Sequence, residues 1–362
     1  MADERQPLEK PQLDWDKVKA FAFQTMTDIG TAMHGALSYI GDRLGIFKAM
    51  AGAGWISSAE LAASTGLSER YLREWLGAMA AARYVEYDPA TRKFLLPPEH
   101  AMILAKEDSP FFFGGFIQGI ANIAMAPKVA EAFKTGKGVP QSEYPPDTVE
   151  GIERGTAPMF QHHLVRKWLP AMPQVVASLT DGGSALDVGC GSGRAAIALA
   201  KAFPRALVFG YDSHPESIER ARANARAAGL IKDRIAFEAV DCTKLPAERW
   251  DFITTFDVVH DSVDPVALLK SIRQALKPAG TYLMLELNVS ANLEDNLNPM
   301  GRMMYSTSTL YCMTVSLAQG GAGIGAVMGE PKARELCAQA GFTRFRRLPI
   351  DDMFSALYEV RR

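Results

Sequence analysis

The sequence predicts an α/β protein in which a parallel, Rossmann-like sheet follows a mainly helical N-terminal domain. Three observations lead to this prediction. Short apolar segments alternate with helical segments between residues 185 and 287, a glycine-rich turn joins the first of them to a helix, and residues 15–50 are apolar at helical spacing. Strands that alternate with helices in this way form a parallel sheet covered on both faces.

The glycine-rich turn is the most informative motif of the chain. Residues 185–188 have the apolar character of a buried strand, and a helix-forming run begins directly after Gly193. Gly189, Gly191 and Gly193 carry no Cβ atoms, so a ligand can approach the backbone closely. The motif therefore predicts a ligand-binding turn at the carboxyl end of the first sheet strand.

Two kinds of ligand commonly bind such a turn, namely dinucleotides and S-adenosylmethionine. A dinucleotide motif has its third glycine one position later, where this chain has Arg194, and it places a pyrophosphate at the helix N-terminus. Here Asp187 precedes the first glycine, and its carboxylate suits a ligand that carries a sulfonium and an ammonium group. The spacing favours S-adenosylmethionine, with a ligand-free tight turn as the alternative.

Acidic residues also follow the next three predicted strands. Asp212 ends the second strand, in the position where a carboxylate accepts hydrogen bonds from a ribose diol. Asp241 follows the third strand, where it can meet the adenine amino group, and Asp257 follows the fourth. The residues predicted to contact the cofactor are Asp187, Gly189, Gly191, Gly193, Asp212, Asp241, Cys242, Phe256 and Asp257.

The composition is that of an ordinary enzyme with two domains. The chain has 362 residues, of which 48% are hydrophobic and 22% are charged, and its formal net charge is -2. This balance gives no indication of nucleic-acid binding. The N-terminus lacks the order of a signal peptide, no apolar run is long enough to span a membrane, and the four cysteines form no CxxC pair. We therefore expect a cytoplasmic protein without a metal site.

Residues 1–100 are predicted to form a dimerisation and winged-helix domain. Apolar residues recur at intervals of three and four over residues 15–50, which indicates a helix face that needs cover. A capping box at 57–60 opens a helix, Ser68 opens another, and residues 84–96 have the pattern of a hairpin. The second helix mixes acidic and basic side chains, so we favour dimerisation over DNA binding.

Residues 101–173 are predicted to be a helical linker that covers the active site, and residues 174–362 the cofactor-binding domain. The helix over 158–169 carries adjacent histidines, which face different sides and cannot bind one metal ion together. The segment 300–313 is rich in methionine, whose flexible thioether suits apolar ligands. The residues predicted to contact the substrate are Phe160, His163, Met303, Met304, Tyr305 and Tyr311.

Taken together, these motifs resemble those of the two-domain, small-molecule class I methyltransferases, in a bacterial branch. The resemblance covers nearly the whole chain and implies S-adenosylmethionine as cofactor, a small-molecule methyl acceptor and a homodimer. His260 and Asp261 are similar to the histidine–aspartate pair in which related O-methyltransferases place their general base. Glu286 resembles the acid that orients this histidine. No tryptophan follows Asp261 and no second bracketing glutamate is recognisable, so the resemblance does not identify the acceptor.

The predicted function is methyl transfer to the oxygen of a small, largely apolar metabolite. A hydroxyl is a poor nucleophile until it loses its proton, and a positioned histidine such as His260 can accept that proton. A thioether, thiolate or neutral amine needs no base, so transfer to sulfur or nitrogen is an alternative, with His260 as a pocket residue. A winged-helix transcriptional regulator that binds a ligand without turnover is the alternative from another class.

Overall fold

The computed structural model describes residues 13–230 and 233–362. The chain divides into two compact units, Met1–Ala105 and Lys106–Arg362. The first unit is mainly helical and the second contains a seven-stranded sheet, so the predicted fold class is confirmed. The finer division into residues 1–100, 101–173 and 174–362 stays a prediction.

The N-terminal unit contains five α-helices and a short hairpin of antiparallel strands. A capping box begins α3, because Ser57 accepts a hydrogen bond from the Glu60 amide while the Glu60 carboxylate accepts one from the Ser57 amide. The elements are α1 (Trp15–Arg43), α2 (Ile46–Met50), α3 (Ser58–Thr65), α4 (Glu69–Ala81), β1 (Glu86–Asp88), β2 (Lys93–Leu95) and α5 (Pro98–Leu104).

The first helix packs against its own unit only near its C-terminal end. Gly41 lies so close to the Trp75 ring that an added Cβ would be 2.5 Å from ring atom Cζ2. Trp75 Nε1 also donates a hydrogen bond of 2.8 Å to the Leu37 carbonyl. The helical pattern expected over residues 15–50 is interrupted at Gly45, whose φ of 69° is left-handed and therefore ends one helix before the next begins.

The sheet of the C-terminal unit has the strand order β5-β4-β3-β6-β7-β9-β8. Strands β3 to β7 pair in parallel, and the final hairpin of β8 and β9 pairs antiparallel at one edge. The strands are β3 (Ser184–Val188), β4 (Leu207–Asp212), β5 (Ile235–Ala239), β6 (Trp250–Phe256), β7 (Leu276–Leu287), β8 (Arg344–Arg347) and β9 (Ser355–Arg361). The strand predicted over 281–287 begins earlier because Leu276 already pairs with Trp250.

Helices cover both faces of this sheet. Alternate residues of β3 enter different cores, with Ala185 in one and Leu186 in the other, as the strand period of two requires. The helices are α6 (Gly114–Gln118), α7 (Ala126–Thr135), α8 (Pro146–Met159), α9 (Pro173–Thr180), α10 (Arg194–Ala202), α11 (Pro215–Ala227), α12 (Pro265–Ala275), α13 (Pro299–Thr307), α14 (Met313–Ala318) and α15 (Gly329–Gln339).

Two segments are π-helices rather than the α-helices that their sequences suggest. One is Phe160–Trp168, which continues from α8, and the other is Ser308–Cys312, which joins α13 to α14. Pro158 lies near the end of α8 and has no amide hydrogen, so the regular hydrogen-bond ladder is already interrupted there. Segments of this kind occur frequently at functional sites.

None of the helices in the described residues is both long and apolar enough to pass through a bilayer.

Candidate active site

The turn after β3 has the geometry of a ligand cradle. Gly189, Gly191 and Gly193 have φ values of 70°, 52° and 76°, which side chains other than glycine rarely adopt. A Cβ on Gly189 would lie 2.6 Å from Val258 Cγ2, and a Cβ on Gly193 would lie 2.7 Å from Phe237 Cε1. A Cβ on Gly191 would meet no atom within 4 Å. The absence of a Cβ atom on Gly189 and Gly193 therefore lets Val258 and Phe237 pack against the turn, whereas Gly191 borders open space.

Asp212, at the end of β4, holds this turn in place. Its Oδ2 accepts a hydrogen bond of 2.9 Å from the Gly191 amide, and its Oδ1 accepts one of 2.9 Å from the His214 amide. Burial favours the neutral acid, but the hydrogen bonds from His214 and Gly191 outweigh burial and hold the pKa of Asp212 below its usual value. The residue is therefore a carboxylate at neutral pH, directly beside the open space at Gly191.

Asp187 lies deeper, inside the sheet. It is 2% exposed, and its Oδ1 accepts a hydrogen bond of 2.8 Å from the Thr254 hydroxyl of β6. Burial raises the pKa of Asp187 to about 7, against the opposing effect of the Thr254 hydrogen bond. A cation that binds nearby would favour the ionised form of this carboxyl group.

The predicted adenine-side residues follow β5 by two and three positions. Asp241 is exposed, and its Oδ1 accepts hydrogen bonds from the Thr243 amide at 3.0 Å and the Thr243 hydroxyl at 2.6 Å. These bonds and the Lys244 ammonium group lower the pKa of Asp241 to about 2. Cys242 is half-buried, and burial raises the pKa of its thiol to about 12. Asp241 thus caps its own short turn as a carboxylate.

Asp257, directly after β6, has a strained backbone and a carboxyl oxygen without a partner. Its φ is 55°, and its amide donates a hydrogen bond of 3.0 Å to the Leu285 carbonyl of β7. Its Oδ1 is buried and has no hydrogen-bond partner among the described residues. Burial and the nearby Glu286 raise its pKa to about 7. Left-handed backbone outside glycine is concentrated at functional sites.

His260 and Glu286 form a buried pair at the carboxyl ends of β6 and β7. His260 is 2% exposed and Glu286 3%, and 2.5 Å separates His260 Nδ1 from Glu286 Oε2. The other oxygen of Glu286 accepts a hydrogen bond of 3.0 Å from the Val259 amide. One carboxylate therefore fixes both the imidazole ring and the peptide that precedes it.

The second ring nitrogen of His260 faces another acidic residue. His260 Nε2 lies 3.2 Å from Asp261 Oδ1. Burial alone would disfavour the imidazolium, but Asp261 and Glu286 outweigh burial and place the pKa of His260 well above its usual value. The two carboxyl groups thus favour the imidazolium form of His260.

Cys312 is a site residue that the sequence analysis did not identify. The Sγ atom of its buried thiol lies within 4.8 Å of the ligating atoms of His260 and Asp261, and the π-helix Ser308–Cys312 carries it there. Burial and the Asp261 charge raise the pKa of this thiol to about 11, so it is protonated at neutral pH. The only sequence signal was its place directly after Tyr311.

The structure places the predicted substrate residues in different surroundings. Phe160 is buried, with its ring centroid 4.8 Å from that of Phe256. Tyr311 is also buried, and this burial together with the Asp261 charge raises the pKa of its phenol. His163 Nδ1 lies 3.6 Å from Asp352 Oδ2, and burial lowers the pKa of this histidine.

Along α13 only one of the three predicted substrate residues is buried. Met304 is 5% exposed, whereas Met303 is 39% and Tyr305 is 37% exposed. Neighbouring helical positions point in directions about 100° apart, so three consecutive side chains cannot share one face. A contact between a ligand and Met303 or Tyr305 stays a prediction.

Comparison with known proteins identifies the two units by family. Residues 179–341 match a family model described as a methyltransferase domain, and residues 32–106 match one described as an Rv2258c-like winged HTH domain. Residues 179–341 thus form a methyltransferase domain. The predicted domain type, its S-adenosylmethionine cofactor and the N-terminal winged helix are confirmed.

Curated relatives match about a third of the chain. A ubiquinone biosynthesis O-methyltransferase of Histophilus somni (strain 2336) is 34% identical over 131 residues, which is 35% of this chain and 54% of the relative. An S-adenosyl-L-methionine-dependent Diels-Alderase, iccD of Talaromyces variabilis, is 32% identical over 126 residues, which is 34% of this chain and 42% of the relative. The match thus spans about half of each relative, and the two are named for different reactions.

Solved structures match over nearly the whole chain and support the fold. The mitomycin 7-O-methyltransferase MmcR has a TM-score of 0.71 at 21% identity, with 96% of this chain and 99% of that chain covered. Human N-acetylserotonin methyltransferase, solved in complex with S-adenosylmethionine, has a TM-score of 0.65 at 19% identity, with 98% and 99% covered. At this level of identity, the similarity concerns the fold alone.

Proposed function

We propose that the methyltransferase domain transfers a methyl group to the oxygen of a small, largely apolar metabolite, with His260 as general base. The observation that carries this proposal is the buried pair of His260 and Glu286 at the carboxyl edge of the sheet. Open α/β sheets bind their ligands at this edge, where the turn after β3 also lies. The pair and the glycine cradle therefore belong to one site in our proposal.

The residues around the turn suit the cofactor. Gly191 borders open space, Asp212 offers an ionised carboxylate next to it, and Asp187 offers a buried acid that a nearby cation would ionise. When bound, S-adenosylmethionine supplies an electrophilic methyl carbon on a sulfonium centre. Phe256 ends β6, Asp257 follows it directly and Cys242 follows β5, and we propose them as further contacts.

His260 would accept the proton of the acceptor hydroxyl at Nε2. Glu286 holds Nδ1, so the ring keeps its orientation while it gains the proton, and the carboxylate stabilises the imidazolium that forms. Asp261 and Glu286 stabilise the imidazolium that forms when His260 takes the proton of an alcohol or a phenol, and because they also raise the pKa of His260, we expect the neutral base form, and with it turnover, to increase with pH. The buried aromatic residues Phe160 and Tyr311 would contact an apolar acceptor.

An acceptor panel would test this assignment directly. The purified protein is incubated with S-adenosylmethionine and matched alcohols, phenols, thiols and amines, and formation of S-adenosylhomocysteine is measured. We expect turnover with hydroxyl compounds. Turnover confined to thiols or amines would contradict the oxygen assignment. Since one relative is named as a Diels-Alderase, product formation with S-adenosylmethionine left intact would contradict methyl transfer itself.

Replacement of Asp212 by alanine should weaken cofactor binding. The change removes an acceptor for the cofactor and leaves the Gly191 and His214 amides without their partner. An unsatisfied buried polar group typically costs about 1–3 kcal/mol, which corresponds to roughly 5–150-fold in affinity. Titration calorimetry with S-adenosylhomocysteine measures this effect, and unchanged affinity would contradict the assignment of Asp212.

We also propose a homodimer joined by the first helix. Only Ser38 and Gly41 of α1 are buried, whereas Met33 is 68% exposed. Exposed apolar residues recur at intervals of three, four and seven along one face of this helix, at Met26, Ile29, Met33 and Ile40. Exposed apolar surfaces of this extent mark interfaces, and a second copy of α1 offers a matching stripe.

A double substitution on this stripe should dissociate the dimer. Ile29→Glu with Met33→Glu places two charges on the apolar face, and burial of unpaired charges opposes association. Light scattering on the full chain should report half the mass of the unchanged protein. Thr31→Glu, on the opposite side of α1, is the matched control and should leave the mass unchanged. Equal masses for the double variant and the control would contradict the interface.

The charges on α4, the helix that would contact DNA, do not favour the alternative function of a transcriptional regulator. On α4, Arg70 Nη1 lies 2.6 Å from Glu74 Oε1, and Arg73 Nε lies 3.5 Å from Glu69 Oε1. Phosphate contacts need a basic stripe, and acidic neighbours on the same face oppose it. A small-molecule acceptor and a homodimer are therefore the partners that we propose, and a cytoplasmic location stays a prediction.

A further inference from the structure

The surroundings of His260 contain more ligating atoms than a general base requires. The ligating atoms of His260, Asp261 and Cys312 all lie within 4.8 Å of one another. We infer that these three residues form a binding site for a thiophilic divalent cation, with zinc as the ion that suits them best. This assignment goes against the expectation from the sequence that the protein has no metal site.

The separation of the histidine and aspartate atoms is close to that of two ligands in a tetrahedral site. His260 Nε2 and Asp261 Oδ1 are 3.2 Å apart. Bonds of about 2.0–2.2 Å from zinc to nitrogen and oxygen place two such ligands roughly 3.3–3.6 Å apart in a tetrahedron. The two atoms therefore need to move by only a few tenths of an ångström to share one ion.

A buried oxygen without a partner points into this site. Asp261 Oδ1 faces the histidine at ion-pair distance, yet it is buried and accepts no hydrogen bond from the described residues. A buried carboxylate oxygen without a partner is unfavourable. A cation bound between Nε2, Sγ and Oδ1 would satisfy it.

Glu286 supplies the support that metal-binding histidines usually have. Its carboxylate holds Nδ1 of His260, which leaves Nε2 as the coordinating atom and fixes the direction of the ring. A carboxylate on the far nitrogen of a ligating histidine is a recurrent arrangement in zinc proteins. His260 also belongs to a second group with Asp257 and Glu286, but there Nδ1 is already taken by Glu286. The group with Cys312 is therefore favoured.

The ligand types identify the ion. A thiolate, an imidazole and a carboxylate together favour zinc over magnesium or calcium, which take oxygen ligands. Three protein ligands leave a fourth position open for water. When the ion binds, the Cys312 thiol and Nε2 of His260 each release a proton to solvent as the sulfur–metal and nitrogen–metal bonds form, so the affinity rises with pH.

A regulatory consequence rests on the proposed function. Zinc bound to Nε2 would prevent His260 from accepting a proton, so the ion would inhibit transfer to hydroxyl acceptors. Binding itself does not depend on that function, since the three ligands come from this chain alone.

Zinc titration of the purified full-length protein, without cofactor or acceptor, tests the site. We expect one ion per chain in competition with a chromogenic chelator. Cys312→Ser and Asp261→Asn should each lower the affinity by about 100-fold or more, because even groups that only support ligands contribute 10–100-fold. Cys337→Ser is the matched control, since Cys337 is also a buried free cysteine but packs in the core beside β7.

Cobalt provides a second measurement that does not depend on affinity. A thiolate bound to Co²⁺ gives a charge-transfer absorption band, which should appear with the unchanged protein and with Cys337→Ser but not with Cys312→Ser. Equal zinc affinities for Cys312→Ser and Cys337→Ser, or the same band in both, would overturn the site. Zinc binding at Cys312 without inhibition would support the site and contradict His260 as the base.

Discussion

His260→Ala should lower kcat for an alcohol or phenol acceptor by roughly 10²–10⁴-fold, which is the usual contribution of a positioned general base. Affinity for S-adenosylhomocysteine should stay within a few fold, because the cradle at Gly191 and Asp212 does not involve this side chain. The remaining rate should rise with pH, since hydroxide in solvent then removes the acceptor proton. Near-normal turnover on an alcohol or phenol would exclude the base assignment.

Glu286→Gln is the companion variant. The orienting carboxylate should matter only while the histidine is present, so the double variant should be little slower than His260→Ala alone. A purely structural role for Glu286 would instead give losses that multiply. For a thiol acceptor we expect a smaller loss in His260→Ala and no recovery at high pH, because the nucleophile needs no base.

Gly191→Ala should abolish most cofactor binding while the fold persists. Its Cβ meets no protein atom within 4 Å and projects into the space that we assign to the ligand. Overpacking of this kind typically costs about 1–3 kcal/mol, or roughly 5–150-fold in affinity, in addition to the strain at a φ of 52°. Calorimetry with S-adenosylhomocysteine and thermal unfolding measure the two effects separately.

Gly229→Ala is the matched control for this substitution. Gly229 has a φ of 72° and likewise no atom within 4 Å of an added Cβ, but it lies after α11 and away from the turn. The two variants should share a similar loss of stability from backbone strain. Only Gly191→Ala should lose affinity, and equal affinities would mean that the ligand does not approach the turn.

Local patterns predicted much of the fold because each depends on nearby residues. The turn at 189–193 needs glycine for its backbone angles, and the capping box at Ser57 is complete within four residues. The pairing of His260 with Glu286 was also accessible, because His260 follows β6 and Glu286 lies at the carboxyl end of the neighbouring parallel strand β7. This pairing depends on strand order and chain direction, which the alternation of strand and helix segments in the sequence indicates.

Other parts of the site depend on contacts that no local pattern records. Cys312 reaches His260 from a helix that follows the last parallel strand, and its neighbours in sequence give no sign of that contact. The depth of Asp187 inside the sheet depends on its bond to Thr254, which lies 67 positions away. Burial of this kind decides whether a carboxyl group is charged, and spacing alone does not.

The π-helix at Ser308–Cys312 makes the register of this region sensitive to chain length. A π-helix accommodates an additional residue within an otherwise α-helical run, so deletion of one residue would restore the α-helix. Every side chain on one side of the deletion would then turn by about 100° relative to those on the other. Tyr311 and Cys312 would no longer face Asp261. A deletion of one residue could thus alter acceptor choice and metal binding together, an evolutionary step that no single substitution reproduces.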